Sequence, residues 1–124
     1  MLRSLGHVTV RSADFDRTEG FYRDLLGLRI GPRPAIAQAG RWFYLGDRAV
    51  LHVLPRMAGA LGGAEGAVDH FAFDADDLPA WQRRLEAAGQ PFENRRLADS
   101  ETWQLFLTDP DGARVELSFQ IQPP

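Results

Sequence analysis

Phe106-Leu107-Thr108-Asp109-Pro110-Asp111-Gly112-Ala113-Arg114-Val115-Glu116-Leu117 reads as strand, tight turn, strand. In Asp-Pro-Asp-Gly the proline presets φ and the glycine tolerates a positive φ, which is the chemistry of a tight turn. The sequence after the turn alternates. Val115 and Leu117 face one way, and Arg114, Glu116 and Ser118 face the other. Glu116 is therefore a carboxylate on the face opposite the apolar one.

The same pattern occurs earlier in the chain. A shift of 64 positions carries Asp47 onto Asp111, Ala49 onto Ala113 and His52 onto Glu116. A shift of 63 carries His7, in Gly6-His7-Val8-Thr9-Val10, onto His70, in Val68-Asp69-His70-Phe71-Ala72-Phe73. Gly27 and Gly89 close two helical stretches at nearly the same spacing. An internal repeat dictates architecture. This one predicts two modules in the order βαβββ, an α+β fold of mixed sheets with helices outside. One domain over residues 1–124 is expected, made of modules 1–55 and 67–120 joined by a Gly/Ala-rich linker, 56–66.

The chain has 124 residues, enough for one domain and marginal for two independent ones, so the modules must share a core or pair across a dimer. Hydrophobic content of 44% and charged content of 25% are those of a soluble globular protein. A net charge of −3 gives no basis for a nucleic-acid surface. There is no cysteine, which removes disulfides, thiol nucleophiles and thiolate metal sites. No apolar run approaches membrane-spanning length and no signal-peptide core opens the chain, so a cytoplasmic location is expected.

Along the chain, Leu5–Val10 alternates as a strand. Ser12 or Asp14 can cap a helix whose apolar stripe is Phe15, Phe21, Tyr22, Leu25 and Leu26, with Gly20 weakening its middle. Leu28–Ala37 holds Gly31, Pro32 and Pro34 and reads as an edge strand or a loop. Arg41–Leu45 and Val50–Leu54 form a hairpin. Val68–Phe73 is the next strand, followed by a helix capped by Asp76 or Asp77, with Trp81, Leu85 and Ala88 along its inner side. Pro91–Leu97 is extended, Thr102–Thr108 and Arg114–Phe119 are strands, and Pro123-Pro124 is tail.

Alternation places His7, His52, His70 and Glu116 on the faces opposite the helix-packing residues. A lone strand histidine is more often a satisfied polar residue, and a lone glutamate beside a turn is usually solvated. Here, however, all three histidines of the chain fall on equivalent strand faces, and Glu116 completes the set. Three imidazoles and a carboxylate suit a divalent metal ion: Zn, Ni, Fe, Co or Mn. Small neighbours, Thr9 and Ala72, leave room for a bound molecule. Trp42, Trp103, Phe43 and Phe106 read more readily as core than as pocket lining. Arg33, Arg41, Arg95 and Arg96 read as surface, with contact to an anionic substrate as the alternative.

These pieces, together with Phe21-Tyr22-Arg23-Asp24-Leu25-Leu26-Gly27-Leu28, resemble the vicinal oxygen chelate superfamily, also called the glyoxalase / bleomycin resistance / dioxygenase group. The resemblance spans nearly the whole chain. It implies paired βαβββ modules, frequent homodimers, a small-molecule substrate and a divalent metal. It carries the metal ligands onto His7, His52, His70 and Glu116, and the catalytic base onto Glu116. In glyoxalase I and methylmalonyl-CoA epimerase the position matching His52 is commonly Glu or Gln, so a histidine there departs from both.

The resulting expectation is a metal-dependent lyase or isomerase of glyoxalase type. The alternatives are an extradiol-type dioxygenase using His7, His70 and Glu116, and a small-molecule (antibiotic) binding protein like the bleomycin-resistance members. A thiol transferase of the fosfomycin-resistance kind is not selected by any residue.

Overall fold

The computed structural model describes residues 1, 3–35, 37–56, 68, 70–96 and 101–120. The chain divides into two compact units, Met1–Gly62 and Gly63–Pro124. Unit 1 runs β1 (Val8–Ser12), α1 (Phe15–Glu19) continuing as a π-helical segment (Gly20–Leu25), β2 (Arg29–Gly31), β3 (Arg41–Leu45) and β4 (Arg48–Pro55). Unit 2 runs β5 (Phe71–Ala75), α2 (Leu78–Ala87), β6 (Glu93–Arg96), β7 (Thr102–Thr108) and β8 (Arg114–Gln120). The sheet orders are β1-β4-β3-β2 and β5-β8-β7-β6. In each sheet the first strand lies parallel to the last and the other pairs are antiparallel. Each unit is thus one βαβββ module, as the repeat predicts. The expected linker lies outside the described residues apart from Arg56, and Pro123-Pro124 lies wholly outside them.

Local chemistry explains the elements. The Asp14 side chain accepts from the backbone N–H groups of Asp16 and Arg17 and starts α1. From Gly20 the helix widens: the Leu26 N–H donates to Phe21 O at 3.0 Å, five residues back. The expected single α-helix is therefore half π-helical, with the turn of widening beginning at the residue of weakest helix propensity. Gly27, at φ +86°, then ends it. Asp77 rather than Asp76 caps α2, with its Oδ1 accepting from Ala80 N–H at 3.1 Å.

The first strand of each unit is displaced from its expected span. β1 pairs from Val8↔Leu51 to Ser12↔Pro55, and β5 from Phe71↔Val115 to Ala75↔Phe119. The parallel partner extends to Pro55 or Gln120 and carries the ladder forward. His7 and His70 consequently sit one residue before their strands.

The core of unit 1 is Phe21, Tyr22, Leu26, Leu28, Phe43, Leu51 and Val53, with the Tyr22 ring 5.7 Å from Phe43. In unit 2, Leu85 of α2 is buried, as are Leu105, Leu107, Val115, Leu117 and Phe119. Burying each such side chain stabilises the fold by about 1.5–3 kcal/mol. Ala88, expected on the inner side of α2, is exposed and lies just beyond the end of the helix. Among the described residues no helix is long and apolar enough to cross a membrane.

Candidate metal-ligand pairs on matching strands

In unit 1, His52 lies between Leu51 and Val53, which are both 1% exposed on the opposite face. Its register partners are Thr9 on β1 and Trp42 on β3. The Trp42 ring is 4.0 Å from His52 at 9°, and the His7 ring is 3.8 Å from it at 13°. Two rings cannot both lie parallel at that distance on one face, so His52 is sandwiched between them. Burial is the main cause holding the His52 pKa below its ordinary value. The neighbouring His7 charge adds to this and the Arg33 charge contributes less, against a raising hydrogen bond with the backbone of Ala49. The imidazole is thereby biased to its neutral, metal-ligating form.

In unit 2, Glu116 holds the corresponding position, between the buried Val115 and Leu117. Its register partners are Ala72 on β5 and Phe106 on β7. His70 Nε2 stands 3.4 Å from Glu116 Oε1. Gln104 Nε2 donates to the same oxygen at 2.9 Å. Glu116 is only 6% exposed, so this hydrogen bond matters to its orientation. The His70 ring meets Phe106 edge-on at 5.4 Å, and the guanidinium groups of Arg114 and Arg95 lie 4.3 Å and 5.2 Å from the Phe106 centroid.

The four expected ligands therefore stand as two pairs, one in each unit, at equivalent register positions. Among the described residues there is no group of three or more His, Cys, Asp or Glu side chains that could hold a metal ion. The His70–Glu116 pair has a spacing that suits one. Two adjacent donors, each about 2.1 Å from a shared ion, stand roughly 3.0–3.4 Å apart, and the His70–Glu116 separation falls at that value. The donor types, imidazole and carboxyl oxygen, are ones that first-row divalent ions accept.

Trp42 and Phe106, read from sequence as core, lie on the faces of His52 and Glu116, where Phe106 is buried at 7% exposed and Trp42 is half-buried. The 64-residue shift that relates His52 to Glu116 also relates Trp42 to Phe106, and it is the signal that locates them. Phe43 is core, and Trp103 shares the side of its register partner Phe119. Gln104 was not singled out in the sequence, although the alternation of β7 places it beside Phe106 on the Glu116 face. Of the four arginines, Arg41 pairs with Glu19 at 2.9 Å, Arg95 with Glu93 at 3.0 Å and Arg96 with Glu101 at 3.3 Å. Arg33 has no carboxylate partner among the described residues.

Comparison with known proteins agrees with this architecture. A solved structure of a protein assigned to the glyoxalase family from Bacillus anthracis superposes with a TM-score of 0.80 at 19% identity, covering 98% of both chains. Over 119 residues the chain is 29% identical to glutathione transferase FosA of Serratia marcescens, covering 94% of this chain and 81% of that protein. Over 123 residues it is 26% identical to Glyoxylase I 4 of Arabidopsis thaliana, covering 94% of this chain and 70% of that one. The family model that matches spans residues 4–117, and the chain belongs to the Glyoxalase/Bleomycin resistance protein/Dioxygenase superfamily.

Proposed function

We propose that the chain is a metal-dependent enzyme of glyoxalase type, a lyase or isomerase acting on a small molecule that presents two neighbouring oxygens. The observation that carries this reading is the matched pairing of His7 with His52 and of His70 with Glu116. His7, His52, His70 and Glu116 offer three imidazoles and a carboxylate as ligands for a divalent ion, and the chain acts as a homodimer. Zn, Ni, Fe, Co and Mn all suit that donor set. When bound, such an ion draws charge from substrate oxygens and makes an adjacent C–H bond more acidic.

The remaining work falls to the chain. Glu116 takes the proton from one carbon and returns it to the neighbouring one, so the substrate is isomerised without net loss of atoms. Gln104 holds the carboxylate by its 2.9 Å hydrogen bond to Oε1 while that transfer occurs. Trp42 and Phe106 form apolar walls on the ligand-bearing faces. The absence of cysteine suits a cytoplasmic protein.

The test is elemental analysis of protein purified without chelators, followed by thermal unfolding with and without EDTA. The expected result is a bound first-row metal and a lower Tm with EDTA. Protein free of metal that also ignores added Zn, Ni, Fe, Co and Mn would overturn the reading and favour a small-molecule binding protein. Oxygen uptake with a catechol under Fe would favour the dioxygenase. The likeness to a glutathione transferase supports one further reading, attack of a thiol on the bound substrate. Consumption of glutathione thiol groups during turnover would identify it.

A further inference from the structure

Arg33 follows β2 in unit 1. Its guanidinium lies against Gly40: a Cβ added to that glycine would stand 2.7 Å from Arg33 Nη2, 2.9 Å from its Cζ and 2.8 Å from Val53 O. Gly40 directly precedes β3, two residues before Trp42, the stacking partner of His52, and the Arg33 charge acts on His52. The missing side chain is what admits the guanidinium there. Arg33 Nε is buried and has no hydrogen-bond partner among the described residues.

Five other arginines of the unit have partners. Arg41 and Arg23 meet Glu19, and Arg23 also meets Asp24. Arg29, Arg11 and Arg48 donate to the carbonyls of Gly46, Pro55 and Leu5. A buried, unsatisfied donor on a charged group is expensive to maintain. Placing that charge near His52, a candidate metal ligand, is doubly unfavourable, because it repels a cation as well. An anion bound against the guanidinium offsets that charge.

We propose that Arg33 anchors an oxyanion (a carboxylate, phosphonate or phosphate) carried by the small molecule received on the His52 face of unit 1. This rests on the metal-dependent reading for the substrate's role but not for the binding itself. The planar guanidinium offers its terminal nitrogens as charge-assisted donors to the oxygens of such a group. The substrate class is thus narrowed to anions.

The test is calorimetric titration of the purified full chain with inorganic phosphate and with oxalate, before and after loading with Zn. Arg33→Ala should weaken binding of both by at least about tenfold, the loss expected for a charge-assisted hydrogen bond. Arg33→Lys keeps the charge, loses the planar group and should fall between. Arg96→Ala, whose side chain pairs with Glu101, should bind as the wild type does. Metal content of the Arg33 variants should be no lower than that of the wild type.

Equal affinities in wild type and Arg33→Ala, or no binding of either anion by the wild type, would overturn the proposal. If Arg33→Ala does not fold, the comparison of Arg33→Lys and Arg33→Gln with wild type decides the matter in the same way. A chain that takes up no metal yet binds phosphate through Arg33 retires the metal reading and leaves the anion site standing.

Discussion

His70 Nε2 and Glu116 Oε1 are 3.4 Å apart, and the oxygen is held in place by Gln104. That spacing is suited to two neighbouring donors on one ion. Replacing either member of a ligand pair should reduce metal binding without unfolding the chain. His7→Ala removes an exposed ring, and Glu116→Ala leaves the apolar side of β8 untouched. Each should weaken metal affinity by at least about tenfold to a hundredfold, since even groups behind the ligands contribute that much. Elemental analysis and circular dichroism on the same samples check both halves of the statement. Full metal content in both variants would sink the ligand assignment.

Much of this was legible in the sequence because a strand has a period of two. Once Val115 and Leu117 are assigned to the core, Glu116 can only be on the other side, and the repeat transfers that argument to His52. The β7–β8 hairpin was likewise legible, because Asp109-Pro110-Asp111-Gly112 marks its turn. The starts of β1 and β5 were not, since alternation reads the same whether a strand begins at Leu5 or at Val8. The parallel partners, far away in sequence, set that register. The π-helical segment was hidden because Phe21, Tyr22, Leu25 and Leu26 satisfy either helical period. That Arg33 Nε has no partner among the described residues depends on the backbone around Gly40, which no composition or spacing records.

The His52 pKa lies below the ordinary imidazole value of 6.5, with burial the largest cause. In the metal-free protein the unfolded chain therefore takes up this proton first as the pH falls. Stability should decline from the ordinary value down to the depressed native one, then stop declining once both states are protonated. The Tm of EDTA-treated protein, followed from about pH 8 to about pH 5, should show the loss, and His52→Gln should flatten it. Trp42 supplies a second readout, because its ring stacks on His52 and a protonated imidazole quenches indole emission. Emission should fall in the lower part of the same interval, and Trp42→Phe should remove that component. Identical Tm profiles for wild type and His52→Gln would refute the assignment.

Asp77 combines a left-handed backbone, φ 61° and ψ 63°, with the N-cap of α2. A Cβ disfavours that conformation, while the carboxylate satisfies Ala80 N–H. Asp77→Ala keeps the first difficulty and loses the second benefit, and should destabilise unit 2 by about 1–2 kcal/mol. Asp77→Gly relieves the backbone and should lose only a few tenths of a kcal/mol. Asp77→Asn, able to cap and tolerant of positive φ, should be close to neutral. Urea unfolding of the three variants gives the order Asn, Gly, Ala directly. An alanine variant as stable as wild type would show that the cap contributes nothing.

Asp109 is 5% exposed and ties the β7–β8 turn together. Its Oδ1 accepts from the N–H groups of Asp111 and Ala113, both at 2.8 Å, while its own N–H donates to Ala113 O. Gly112, at φ +93°, completes the reversal. Asp109→Ala leaves two backbone donors without their acceptor, so a loss of about 2 kcal/mol is expected, roughly 1 kcal/mol for each hydrogen bond. Asp109→Asn retains an oxygen in place and should lose less than half as much. Because β8 begins two residues after Gly112 and carries Glu116, the alanine variant should also bind metal more weakly. Denaturant midpoints and metal affinities measured together separate the two effects. An alanine variant that keeps its wild-type midpoint would mean that the turn holds its shape from Pro110 and Gly112 alone.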